Sequence, residues 1–145
     1  MTITITKDFA CGNIHVLSTE HASDIRVEIE MDGKADFFQW FYFKMEAPAG
    51  PRTIPFMNAA KASYPGGWED YQACYSIDGE TWLRAPTRYV DGVLTIDHSI
   101  PATECFYAYF PPYTASDSEA FLDRITTKPG VTRIPLGKSV DGRPI

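Results

Sequence analysis

Two Asp-Gly pairs, Asp78-Gly79 and Asp91-Gly92, separate short β-prone runs between residues 71 and 98. No other feature constrains the fold as strongly. A tight type I′ hairpin turn needs positive φ at its central residues, and Asp-Gly supplies it. Residues 71–77 and 81–84 flank the first pair, and residues 87–89 and 93–98 flank the second. An antiparallel meander is expected here.

Other segments extend the pattern. Residues 24–32 alternate strictly, with Ile25, Val27, Ile29 and Met31 on one face and charge on the other, up to the Asp32-Gly33 turn. This is the signature of a half-buried strand. Residues 37–43, Phe-Phe-Gln-Trp-Phe-Tyr-Phe, are aromatic on both alternating faces and predict a central strand covered on both sides. Residues 52–58 predict another strand, which Pro55 assigns to an edge or bulge because it lacks an N–H. Residues 104–110 add one more before Pro111-Pro112. Eight or nine short strands with frequent turns predict an all-β fold, an antiparallel β-sandwich.

The pattern then changes. Ser116-Asp117-Ser118-Glu119 reads as a capping box, so one short C-terminal helix is expected from about Ser116 to Pro129-Gly130. Residues 131–136 predict a strand, and residues 137–145 a hairpin whose second strand has barely begun when the chain stops. The expected organisation is a β-sandwich domain over residues 1–128, with residues 129–145 opening a second, α/β domain that continues further.

Thirteen Lys and Arg against nineteen Asp and Glu leave a net charge of −6 in 145 residues. That balance argues against a nucleic-acid or anionic-membrane surface as partner. No window holds 18 apolar residues, as a membrane span requires. The N-terminus lacks the basic start and apolar stretch of a secretory signal. A cytoplasmic protein with Cys11, Cys74 and Cys105 as reduced thiols is expected.

Catalytic patterns are sparse. His15, His21 and His98 show no convergent metal-ligand spacing beyond His21-Ala22-Ser23-Asp24, and two ligands do not make a metal site. Asp97-His98 project to opposite sides of a strand, so the carboxylate cannot orient its neighbour's ring. Cys74 and Cys105 lie within β runs, where a thiol is buried rather than activated. P-loop, G-x-S-x-G, G-x-G-x-x-G and H-E-x-x-H patterns are missing. No catalytic or metal residue is assigned, and no cofactor is expected in this chain.

A binding surface remains. The connection over residues 58–68 carries Lys61, Tyr64 and Trp68, and residues 106–114 carry Tyr107, Tyr109 and Tyr113 among other rings. Loops with such residues often bind a partner. Two functions of different class stay open: an accessory domain that docks on a neighbouring domain, and a free-standing carbohydrate-binding sandwich that stacks sugars on Trp68 or Trp82.

These residues also carry a family resemblance. Gly12-Asn13-Ile14, Asp36-Phe37-Phe38-Gln39-Trp40-Phe41-Tyr42-Phe43, the whole 58–68 run, Trp82-Leu83-Arg84, Leu94-Thr95-Ile96 and the aromatic 106–114 run occur in an order similar to the N-terminal domain of cytosolic zinc metallocarboxypeptidases, in their shorter bacterial form. Residues 136–145 resemble the first hairpin of that family's catalytic domain. The resemblance implies a sandwich preceding an α/β carboxypeptidase domain, which would be its partner. Zinc, held by a His-x-x-Glu pair and a later His, would lie in that second domain, and no residue here matches those ligands. The Lys61 loop and the aromatic strand end would then form the docking face, and the isolated chain could self-associate through it.

Overall fold

In the computed structural model, which describes residues 2–21, 25–33 and 36–145, ten strands and one α-helix follow in order. Strands β1 (Thr4–Thr6), β4 (Tyr42–Glu46), β10 (Glu104–Ala108), β6 (Cys74–Ser76) and β7 (Leu83–Arg84) form one sheet in that spatial order. Strands β2 (His15–Ser18), β3 (Arg26–Glu28), β5 (Gly50–Phe56), β9 (Val93–Ile100) and β8 (Thr87–Val90) form the other. The pairings are antiparallel except for a parallel β3–β5 contact at Val27 and Phe56. The two sheets make a sandwich.

Alternation explains how the sheets share a core. Phe41, Phe43 and Met45 point inward from the β4 segment and are fully buried, as are Ile54 and Phe56 of β5 and Leu94 and Ile96 of β9. Phe41 meets Phe56 across the sandwich at 4.6 Å between ring centroids, and Phe43 stacks on Tyr107 at 5.4 Å. Burying each such ring contributes ~1.5–3 kcal/mol.

The second Asp-Gly pair forms the expected turn: Asp91 (φ 51°) and Gly92 (φ 81°) are both left-handed and join β8 to β9. The first pair does not. Only Gly79 has positive φ, and the β6–β7 connection runs over residues 77–82. There the Asp78 carboxylate accepts hydrogen bonds from the Glu80 and Thr81 N–H groups, at 2.8 and 2.7 Å. These bonds hold its carboxyl well below the usual carboxylate range.

Three further expectations are corrected. The aromatic run over residues 37–43 enters strand conformation only at Tyr42, because Phe38 and Gln39 bond to a neighbouring loop instead. Strand β3 covers only Arg26–Glu28, and Met31 is exposed; Asp24, where that strand was expected to begin, lies outside the described residues, as do Ala22 and Ser23 of the His21 run. Pro55 lies within the central strand of its sheet. It is tolerated because β3 pairs with β5 only at Phe56, and the donor on that side is Met57 N–H, bonded to Val27 O at 2.9 Å.

The chain forms two compact units, residues 1–112 and 113–145. The second contains helix α1 (Ala115–Thr126). Its capping box is shifted by two residues from the expected one. Thr114 is the N-cap: its hydroxyl accepts from Asp117 N–H at 3.2 Å, and the Asp117 carboxylate accepts from Thr114 N–H at 2.6 Å. Glu119 instead makes a two-pronged bond to Arg133, with both contacts at 2.9 Å. No strand forms over residues 131–136. The terminal hairpin is reduced to one bridge between Lys138 and Pro144, with Gly142 (φ 78°) at its turn.

Candidate interdomain surface

The connection between β5 and β6, residues 57–73, is long but firmly held. Asn58 brackets the backbone of Ile29: its Oδ1 accepts from Ile29 N–H at 2.9 Å and its Nδ2 donates to Ile29 O at 2.8 Å. Gln39 does the same for Tyr64, accepting from its N–H at 2.9 Å and donating to its carbonyl at 3.2 Å. Ser63 and Phe38 exchange two bonds, both 2.9 Å. Two 3₁₀ turns, Ala59–Lys61 and Pro65–Trp68, tighten the path. Side-chain amides thus replace the ladder that a strand would have provided.

This clamp fixes what the loop shows to solvent. Lys61 is exposed, and Tyr64 is 65% exposed. The Tyr64 ring lies over Gly67: a Cβ there would be 2.6 Å from its Cδ1. The glycine is therefore needed for close approach of the ring, not for an unusual φ.

Trp68 and Tyr107 are corrected from surface to core. Both are fully buried. Trp68 turns into the sandwich, where its indole N–H donates to Ala59 O at 3.0 Å and its ring meets Tyr71 and Tyr109 edge-on. Tyr107 follows the inward parity of β10. Tyr109 is half-buried against the core, and its carbonyl accepts from the Tyr71 hydroxyl at 2.6 Å. Tyr113 is 65% exposed in the second unit, beside Asp117 and Phe121 of α1.

The rings that parity turns outward are Phe106 and Phe110. Phe110 is 52% exposed and lies 4.8 Å from the half-buried Trp40. Phe9 meets Tyr42 at 4.8 Å, and Trp82 meets Tyr42 at 5.9 Å. The outer face of the first sheet therefore carries Phe9, Trp40, Trp82, Phe106 and Phe110 around Tyr42. The period of two in residues 106–110 carried this signal, but the phase was not fixed by the sequence pattern.

Among the described residues, the polar groups singled out from the sequence do not come together. Asp97 pairs with Arg88 at 2.8 Å outside the sandwich, while His98 faces inward. Burial pushes the Cys105 thiol up to about 11, so it is protonated at neutral pH and a poor nucleophile. Cys74 is likewise buried and shifted upward, whereas Cys11 is exposed; all three are free thiols. No three His, Cys, Asp or Glu side chains converge as metal ligands among the described residues. With its ring buried, Trp68 offers no platform for stacking a sugar.

The fold defines a two-sheet sandwich whose long β5–β6 connection is held by side-chain hydrogen bonds. Residues 5–110 match the family of the cytosolic carboxypeptidase N-terminal domain, and the chain belongs to that family. It is 37% identical to a metallo-carboxypeptidase from Burkholderia cenocepacia, with a TM-score of 0.96 over 99% of this chain and 38% of that one. A metallo-carboxypeptidase from Pseudomonas aeruginosa, solved in complex with (2-guanidinoethylmercapto)succinic acid, is 37% identical with a TM-score of 0.94 over 98% of this chain and 38% of that one. An uncharacterized protein of Zymomonas mobilis subsp. mobilis is 40% identical over 144 residues, 99% of this chain and 38% of that protein. The chain thus spans under two fifths of the length of these relatives.

Proposed function

We propose that this chain is the non-catalytic N-terminal module of a zinc metallocarboxypeptidase that removes C-terminal amino acids from peptides or proteins in the cytoplasm. The observation that carries this reading is the likeness to solved metallo-carboxypeptidases across nearly the whole chain, while the chain covers 38% of theirs. Among the described residues no three potential ligands converge on a metal, and we assign zinc to the carboxypeptidase domain. No helix among the described residues is long and apolar enough to cross a membrane.

The second compact unit supports a continuing domain. No residue of 113–145 is buried, and Ile134, Leu136, Val140 and Ile145 are exposed by 71, 82, 101 and 61%. A unit this small cannot supply its own core. We place the opening of the catalytic domain in this region, with residues 129–145 as its first hairpin. Through the same apolar side chains the isolated chain would self-associate at high concentration.

The intact protein tests this assignment. It should hold one zinc per chain by metal analysis and release C-terminal residues from peptides, whereas the 145-residue chain alone should do neither. An intact protein without zinc and without peptide turnover would sink the reading.

We assign Lys61 and Tyr64, with Tyr109 at the margin of the core and Tyr113 in the second unit, to contact with the carboxypeptidase domain. A charge, a hydroxyl and a large ring on a rigid backbone suit a partly polar interdomain contact. Exposed as they are, a combined Lys61→Ala, Tyr64→Ser change should alter the stability of the 145-residue chain by no more than ~0.5 kcal/mol. In the intact enzyme the same change should lower the unfolding midpoint and separate the two domains' transitions in calorimetry. An unchanged calorimetric profile would remove these residues from the interface and leave the carboxypeptidase reading standing.

A further inference from the structure

The sandwich interior contains a polar seam that the docking function does not use. His98, on β9, is 9% exposed and faces Tyr107 of β10 in the opposite sheet, which is fully buried. Its Nδ1 lies 2.9 Å from the Tyr107 hydroxyl, so one side-chain hydrogen bond joins the two sheets through the core. The Tyr75 ring, from β6, packs 4.2 Å from the imidazole. Cys105, two residues before Tyr107 on β10, is fully buried, and its thiol donates to Phe106 O at 3.6 Å.

The charge surrounding this bond is one-sided. Arg52 on β5 is the register partner of His98 and is itself 9% exposed. Its guanidinium donates to the Pro48 and Pro51 carbonyls at 2.7 and 2.6 Å, and its buried Nε has no partner. Neither Arg52 nor His98 forms an ion pair with a carboxylate among the described residues. Asp97, the nearest acid in sequence, is turned to the outer face and bound to Arg88 and Thr53.

We propose that His98 is an acid-sensitive latch between the two sheets: neutral, it joins β9 to β10 through Tyr107; protonated, it forces that part of the sandwich to open. A buried imidazolium needs an anion or full solvation. The groups facing it are a phenol, a thiol, a tyrosine ring and a second cation, none of which supplies negative charge. At 9% exposure the ring keeps only marginal contact with water, and full hydration of its charged form requires the sheets to separate. This inference is independent of the carboxypeptidase reading.

The direction of the pH effect follows. Burial lowers the pKa of His98 in the folded chain. Between that value and the ~6.5 of a free histidine, the unfolded chain binds more protons than the folded one. The latch therefore contributes fully above about pH 6.5 and is lost as pH falls through the window. One proton taken up on unfolding corresponds to a tenfold change in the unfolding constant per pH unit.

The test is equilibrium unfolding of the 145-residue chain from about pH 8 to about pH 5, for the wild type and for His98→Gln. Glutamine keeps hydrogen-bonding capacity but does not titrate in this range. The exposed His15 and His21 are common to both proteins. The wild-type unfolding constant should rise more steeply on acidification, by up to tenfold per pH unit relative to the variant. Equal slopes overturn the latch. Should His98→Gln not fold, NMR titration of the wild-type imidazoles decides. His98 titrating below the ~6.5 of a free histidine supports the proposal, and His98 titrating at or above that value overturns it.

Discussion

Replacing Trp68 by alanine should destabilise the 145-residue chain by about 3–5 kcal/mol, read as a fall in the urea midpoint at constant slope. The ring is fully buried, and it packs edge-on against Tyr71 at 5.4 Å and Tyr109 at 5.5 Å. Removing it leaves a cavity at the base of the 57–73 connection. The indole N–H also ties the end of that loop to Ala59 at its beginning. Trp68→Phe keeps most of the volume but loses this bond, and should cost about 1 kcal/mol more than the packing loss alone. The contrast with Lys61 and Tyr64 is the informative part. These residues lie within the same eight-residue stretch, 61–68, yet the structure divides them between solvent-exposed surface and core. A Trp68→Ala chain as stable as the wild type would contradict that division.

The parts legible in the sequence were those set by local rules. Asp91-Gly92 has positive φ at both residues, as a tight hairpin demands, and β8 and β9 follow on either side. The alternation of Val27 and Ile29 fixed a buried face without fixing how far the strand runs. Where tertiary partners decide, local pattern failed. Phe38 and Gln39 look like strand residues, but their partners are Ser63 and Tyr64 in a loop far along the chain. Along residues 106–110 the period was plain, but its phase depends on which face of β10 meets Phe43, and register across a sheet is not written in one strand. Trp68 illustrates the same limit: its place beside Lys61 and Tyr64 on a long connection suggested a binding surface, while the indole's burial depends on Tyr71 and Tyr109. At the helix start the Ser116/Glu119 pattern was legible, but the cap that forms is Thr114 with Asp117. Glu119 is occupied by Arg133, a contact fourteen residues away.

Gly12→Ala should produce the second large effect, a loss of about 2–4 kcal/mol from overpacking and broken hydrogen bonds together. A Cβ at this position would lie 1.9 Å from Lys7 O and 2.7 Å from Lys7 C, both backbone atoms that no rotamer change can move. Relief requires opening the turn in which Gly12 N–H donates to Phe9 O at 3.0 Å. Asn13 follows immediately, and its amide nitrogen donates to both Glu30 O and Trp40 O, at 3.1 and 3.0 Å. The preceding carbonyl, Cys11 O, accepts the Trp40 indole N–H at 2.7 Å. One methyl group would therefore disturb both ties that hold Trp40, and with it the ring pair it makes with Phe110. Gly33→Ala is the control, since a Cβ there meets nothing within 4 Å, and it should change stability by no more than ~1 kcal/mol. Tryptophan fluorescence should separate the two variants as well, because only Gly12→Ala moves Trp40 relative to its neighbours. Equal stability of the two alanine variants would show that the Lys7–Asn13 turn yields without cost, and would remove it as the support of the outer aromatic face.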